Sequence, residues 1–415
     1  MDSENDTELP TGLELTALAE SFRADPYPIL KNIRETAPVH VDPVPRRLFI
    51  TRHKDVKALL HDKEIHMDPR KANPGTYSRE VIAGSAGFAD PPDMLFLDDP
   101  DHHRLRALVS APFRPKRVEA WRRAIREVAE SVLSGIKEPE FELISRFAGP
   151  VPVVVIARML GIDEAHYQQF KSWSDLVVQT GFNPFPTAKQ SRQAQQARNE
   201  LDNFFFQQIE YRSTDPGDDL ISDMVRAELE GETLTHREIA DQCRLLLVAG
   251  NVTTTDLIGN SVRALLDNPE QMAKLREQPS LIANAIEEVL RFDSPVTNTS
   301  RVTNREMAVS GCPIEKGESL HLSLAAANRD PEVYPEPDRF DIEREDTQHV
   351  AFGGGRHLCL GAHLARVEAQ EAISALLARF PVINYSDKGL FHHSIPAFRG
   401  FKEFWVTTRC QGLPG

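Results

Sequence analysis

The chain has 415 residues, 40% of them hydrophobic and 27% charged, so it can bury a large core and is too long to depend on disulfides. Lys and Arg number 48 against 62 Asp and Glu, a net charge of −14, which argues against a protein held to nucleic acid by a basic surface. Cys243, Cys312, Cys359 and Cys410 are far apart and form no C-x-x-C, which disfavours a zinc ribbon, a dithiol motif or an iron–sulfur ligand set.

In chain order, residues 1–20 read as an acidic, polar tail unlike a signal peptide, and 21–415 as a single interlocked domain. No apolar run approaches the ~20 residues that cross a bilayer, so no membrane span is expected and the expected location is the cytoplasm. Val39–Val41 and Leu48–Ile50 alternate like short strands. From Asp98 to Leu290 apolar residues recur at helical spacing, as in Val128, Val132 and Ile136. Residues 66–97 and 180–190, rich in Pro and Gly or carrying a Pro-x-Pro pair, read as long loops. Strand signals return between Met307 and Leu324, with turns at Gly311 and Gly317, and again at Phe404–Val406. The fold class is therefore mainly α (α+β), helix-rich with a small β-rich region.

Two segments carry chemistry. Thr235-His-Arg-Glu238 is a capping box that opens a long apolar helix, which stops before Asn268-Pro269. Gly250 and the run Thr253-Thr254-Thr255 weaken its centre, which predicts a local bulge exposing a threonine hydroxyl; a polar stretch facing a buried water is the alternative. The second segment is Ala351–Arg366, where three glycines precede Cys359 and a helical pattern follows. A cysteine at a helix N-terminus feels the macrodipole, which lowers its pKa toward thiolate. With no second Cys nearby, a single thiolate on haem suits it better than zinc, and a buried, inert cysteine is the alternative.

Phe352-x-x-Gly355-x-His357-x-Cys359-x-Gly361 resembles the haem-binding loop of the cytochrome P-450 family, F-x-x-G-x-[HR]-x-C-x-G. The resemblance covers roughly residues 20 to 410 and implies the cytochrome P-450 fold, with heme b bound through Cys359 as metal ligand. It gives Phe352, Gly355 and Gly361 to the cofactor loop, and His102, Arg106, Arg301 and His357 to the haem propionates. It makes Glu288 and Arg291 a structural pair completed by Arg339. Where the family has A-G-x-[DE]-T, this chain has Ala249-Gly250-Asn251-Val252-Thr253, so the usual acid is Val252. Valine carries no exchangeable proton, so protons are expected through Thr253 and water, with help from Asn251 or Asp256.

The implied activity is a monooxygenase that hydroxylates a lipophilic small molecule of the terpenoid, steroid or aromatic class. Its electrons would come from a ferredoxin-type donor and its NAD(P)H-dependent reductase. The missing acid keeps open a peroxide-using or nitric-oxide-reducing enzyme and a haem-thiolate gas sensor; a haem-free structural or regulatory protein that keeps only the fold is a separate alternative. Matching positions give the substrate pocket Leu245, Val248, Ala249, Val296 and Thr297. Ile395 and Phe398 join them, with Phe88, Phe96 and the segment 182–185 as a lid. Arg114, Lys116, Arg117, Arg122, Arg123 and Arg126, with Arg356, form a basic cluster suited to an acidic ferredoxin.

Overall fold

Apolar residues at three- and four-residue spacing place the helices where the sequence predicts them. The structure, a computed structural model, describes residues 9–84, 92–181, 186–345 and 347–409. Helices around the site and its supporting core include α1 (Asp101–Val109), α2 (Pro115–Ser134), α3 (Pro150–Met159), α4 (Tyr167–Gly181) and α5 (Ala188–Thr214). They continue with α6 (Leu220–Arg226), α7 (His236–Asp267), α8 (Ile282–Phe292) and α9 (Ala362–Arg379). The strands of the two larger sheets are β1 (Val39–Pro43), β2 (Arg46–Ile50), β3 (Glu140–Glu142), β4 (Asn298–Val302), β5 (Ser319–Ser323), β6 (Val382–His392) and β7 (Phe401–Arg409), and Met307–Val309 pairs with Cys312–Ile314 in a separate hairpin around Gly311.

Helix α7 is the axis of the molecule. Thr235 and Glu238 cap it reciprocally, with the Thr235 amide donating to Glu238 Oε2 at 2.8 Å. Its first half packs Ile239, Cys243 and Leu247 into one apolar core, and its second half packs Leu257, Ile258 and Val262 into another. Burial on both halves keeps the α-helix unbroken across the weak Gly250–Thr255 centre, and no bulge forms there. The expected bulge is thus overruled by packing.

One sheet has the order β1-β2-β5-β4, with β2 and β5 parallel and the other neighbours antiparallel. A second has the order β6-β7-β3. The sequence-based tail is shorter than expected: Leu15 is fully buried, and Gly12 donates to Asp42 Oδ2 and accepts from Arg47. Similarly, Thr187 caps α5, so the end of the 180–190 loop is already helix.

Glu288 and Arg291 form a two-pronged pair at 2.7 and 2.8 Å, both with no exposed side-chain surface. The third member is not the expected one. Arg344 Nε reaches Glu288 at 3.2 Å, whereas Arg339 gives only its backbone carbonyl to Arg291 at 3.1 Å. The Arg339 side chain is 58% exposed and turns to Glu336 and Asp341. Five residues of chain carry Arg344 back over the pair, which the spacing alone does not reveal.

Candidate active site

A cavity of about 440 Å³ lies between α7, the start of α9, β4 and the loop that ends in Gly361. Local hydrogen bonds shape that loop: Gly353 N donates to Val350 O at 2.8 Å and Cys359 N to Phe352 O at 3.0 Å. Gly355 sits at φ +62°, and a Cβ there would collide with the Leu60 carbonyl, so only glycine fits. Arg366 stacks on the Phe352 ring at 4.5 Å and forks onto Glu287 at 2.7 and 2.9 Å. Burial pushes the Glu287 carboxyl up, but its bonds to His349 and Arg366 outweigh this and bring its pKa down to about 2.

Cys359 lines the cavity and is exposed. Although the residue opens onto the cavity rather than lying in the core, the protein packed around it pushes its thiol up, against the pull of the Gly361 amide and Arg106. The helix-terminus argument therefore has the wrong net sign, because Cys359 lies ahead of Gly361, the N-cap of α9. Ionising that sulfur requires a stronger positive partner than the protein supplies, which a metal ion provides.

Beside the sulfur gather cationic and donor groups with few acceptors. His102 on α1 is 3% exposed, and its ring lies 4.0 Å from that of His357. His102 Nδ1 faces Asp99 at 3.4 Å, but His357 Nε2 is buried with no partner among the described residues. Burial, then His102 and Arg301, push His357 down to about 3. Arg301 is 5% exposed and contacts Met67 Sδ, Thr299 Oγ1 and Ser300 O but no described carboxylate. Arg106 donates to Leu358 O at 2.6 Å. A buried guanidinium without an anion is costly, and the two carboxylates of a haem supply what is missing. The donor set fits haem.

The family model described as Cytochrome P450 matches residues 157–390. The chain belongs to the cytochrome P450 family. It is 41% identical over 344 residues to cytochrome P450 107B1 of Saccharopolyspora erythraea, covering 80% of this chain and 82% of the relative. It is 34% identical over 386 residues to the 6-deoxyerythronolide B hydroxylase of the same organism, covering 88% and 91%. Among solved structures, P450BioI in complex with hexadec-9Z-enoic acid ligated acyl carrier protein aligns with a TM-score of 0.84 at 34% identity. That match covers 94% of this chain and 99% of the other. The protein is thus a P450 monooxygenase of the P450 fold, a haem-thiolate protein by family. No helix among the described residues is long and apolar enough to cross a membrane.

On the far wall of this P450's cavity, Leu245, Val248, Ala249, Gly250, Val252 and Thr253 of α7 face inward. The Thr253 hydroxyl donates to Ala249 O at 2.8 Å, back-bonding within its own helix. Asn251 and Asp256 depart from the sequence reading, since neither lines the cavity. Asn251 lies on the opposite side of α7 and donates to Ser174 Oγ at 3.0 Å. Asp256 sits a turn beyond Val252, where the 393–400 loop closes over the helix, and pairs with His393 at 3.0 Å.

Sequence reasoning missed Glu368. It lies on α9, is 3% exposed, lines the cavity and is hydrogen-bonded to Thr254. Burial pushes its carboxyl well above the usual range, against the pull of the Thr254 hydrogen bond, and so favours the protonated form. The signal was present: a glutamate inside the apolar stripe of Leu364, Val367 and Ala372 has no solvated face.

Of the remaining pocket expectations, Phe96, Val296 and Phe398 line the cavity. Thr297 turns away to Ala397 O, and Ile395 packs into the helical core instead. Phe88 and residues 182–185 lie outside the described residues. In the basic cluster, Arg122 and Arg126 are both bound to Glu371 at 2.6 Å, and Arg123 to Glu127 at 2.9 Å. Arg356 is bound to Asp99 at 2.8 Å. Arg114, Lys116 and Arg117 are exposed and form no ion pair with a described residue.

Proposed function

We propose that Cys359 holds the haem iron through its sulfur, while Arg301, Arg106, His102 and His357 hold the propionates. When bound, the haem supplies the redox chemistry that splits dioxygen and leaves one oxygen atom in the product. The residues of the chain position the substrate, exclude water and deliver protons. Val252 forms an apolar wall, and Thr253 has its proton committed to Ala249 O. Glu368 takes the part of the missing acid, releasing its proton through the Thr254 hydroxyl toward the cavity. The observation that carries this reading is the buried Glu368, bonded to Thr254 on the cavity wall, whose burial favours its protonated form.

The substrate is a lipophilic small molecule, because most of the wall is apolar. Relatives named for 6-deoxyerythronolide B hydroxylation and for a bound hexadec-9Z-enoic acid support a bulky or long apolar substrate. Electrons arrive from an acidic ferredoxin in the cytoplasm, steered by Arg114, Lys116 and Arg117 rather than by the neutralised Arg122 and Arg126. Charge reversal at Lys116 and Arg117 with an unchanged electron-transfer rate would remove that docking role.

A lipophilic compound that shifts the resting Soret band serves as the assay substrate. Glu368→Gln is expected to lower product formed per NADH by about 10²-fold, and Val252→Asp in that background to restore part of it. If Glu368→Gln couples as well as the wild type, protons reach the site another way. The back-bonded Thr253 favours one second reading, oxidation driven by hydrogen peroxide. Product formed faster from peroxide than from NADH and dioxygen would establish it.

A further inference from the structure

At the β4–β5 side of the cavity, where Asn298, Thr299 and Arg301 also line the wall, three polar side chains gather that have nothing to bind. His321 on β5 is 4% exposed, and neither ring nitrogen has a hydrogen-bond partner among the described residues. Its ring stacks on Phe49 at 5.3 Å and meets the edge of Tyr77 at 5.7 Å. Ser300 on β4 is the cross-strand partner of His321, so both side chains share one face of the sheet. His321, Ser300 and Tyr77 all line the cavity. The hydroxyls of Tyr77 and Ser300 bond to no described residue.

The arrangement is rigid. Ser78 and Ser319 bond through their hydroxyls at 2.7 Å, fixing the turn that carries Tyr77 to the strand that carries His321. Behind Tyr77, the Arg47 guanidinium lies 4.7 Å over its ring. Arg47 is fully buried, and Asp42 answers its charge at 2.8 Å. The positive charge beneath the site is therefore already matched, and burial with Arg47 nearby keeps His321 neutral. A neutral imidazole offers one donor and one acceptor, as does a hydroxyl group. A carboxylate placed here would be buried without a cation of its own, because Arg47 is held by Asp42 and Arg301, the next residue of β4, turns to the other face of the strand.

Resting on the reading of this cavity as the substrate pocket, we propose that Tyr77, Ser300 and His321 form a subsite for an uncharged hydroxyl-bearing end of the substrate. The substrate is then an amphiphile, anchored by its hydroxyl at β4–β5 with its apolar body in the rest of the cavity. An unpaired polar cluster discriminates far more strongly than apolar walls can, because the wrong ligand leaves it unsatisfied.

The test uses the haem-loaded full chain and three probes, 1-dodecanol, 1-methoxydodecane and dodecanoic acid. Dissociation constants are measured by equilibrium dialysis and by the Soret shift. The alcohol is expected to bind about tenfold tighter than the ether. Tyr77→Phe and Ser300→Ala should each bring that ratio to about two or below, leaving ether binding unchanged, and His321→Phe should abolish it. Should His321→Phe fail to fold, Tyr77→Phe decides, since it removes one oxygen and keeps the ring. Equal binding of alcohol and ether, tightest binding of dodecanoate, or an unaltered ratio in Tyr77→Phe overturns the subsite alone. If none of the three probes binds the wild type, the apolar pocket reading falls and the subsite falls with it.

Discussion

The two walls of the cavity are built on different principles. On the sulfur side, each position is constrained several times over: Gly355 by the Leu60 carbonyl, Phe352 by Arg366, and Arg366 by Glu287. On the α7 side, Val252 takes a place where the family has an acid, and Thr253 hydrogen-bonds only within its own helix. On the proposed reading the proton-bearing group comes instead from α9, where the buried Glu368 is bonded to Thr254. A cofactor cradle needs its own residues at fixed places, whereas a proton needs only some buried donor within reach. The first is written into local sequence, and the second can migrate between elements.

The largest test of that contrast is Cys359→Ser. A hydroxyl in place of the exposed sulfur removes the thiolate, so the ferrous–CO Soret band of thiolate type should vanish and turnover with it. Retention of both would break the comparison at its root. Arg291→Met comes next. It leaves Glu288 charged with no exposed surface, so urea denaturation should show a loss of about 3–5 kcal/mol.

The loop brace gives a smaller effect that depends on pH. Glu287 has its pKa held near 2, below the ordinary 4.5, by His349 and Arg366 against the opposing pull of burial. A depressed carboxylate contributes stability that is complete above pH 4.5 and is lost as pH falls toward 2. The difference corresponds to about 3 kcal/mol. Haem release on acidification should therefore steepen across that window, and Glu287→Gln should flatten it. An unchanged acid profile in the variant would show that the brace does not hold the loop.

Much of this was legible from sequence, and the failures have physical causes. The cap at Thr235, the strands around Gly311 and Gly317 and the Cys359 loop follow from local rules, because each is decided by residues a few positions apart. Thr253 was legible as a mid-helix residue but not as one whose proton is spent on Ala249 O. Asp256 was misread because its partner, His393, lies 137 positions away. Glu368 was overlooked although the apolar stripe around it marks it as buried; its contact with Thr254 depends on the packing of α9 against α7, which no local pattern reports. The sign of the Cys359 shift failed for the same reason: desolvation is a property of the folded surroundings, not of a helix terminus.

The smallest expected effect separates the two candidate arginines of the Glu288 network. Arg339→Ala removes a side chain that is 58% exposed and bound only to surface acids, so stability should change by no more than about 0.5 kcal/mol. Its carbonyl, the part that meets Arg291, survives the substitution. Arg344→Ala instead takes away a cation that is 12% exposed and touches the buried Glu288, and it should cost clearly more in the same urea titration. The opposite order would mean that spacing along the chain, not the observed packing, identifies the third member. Equal small effects would mean that Glu288 is satisfied by Arg291 and the Asp341 amide alone.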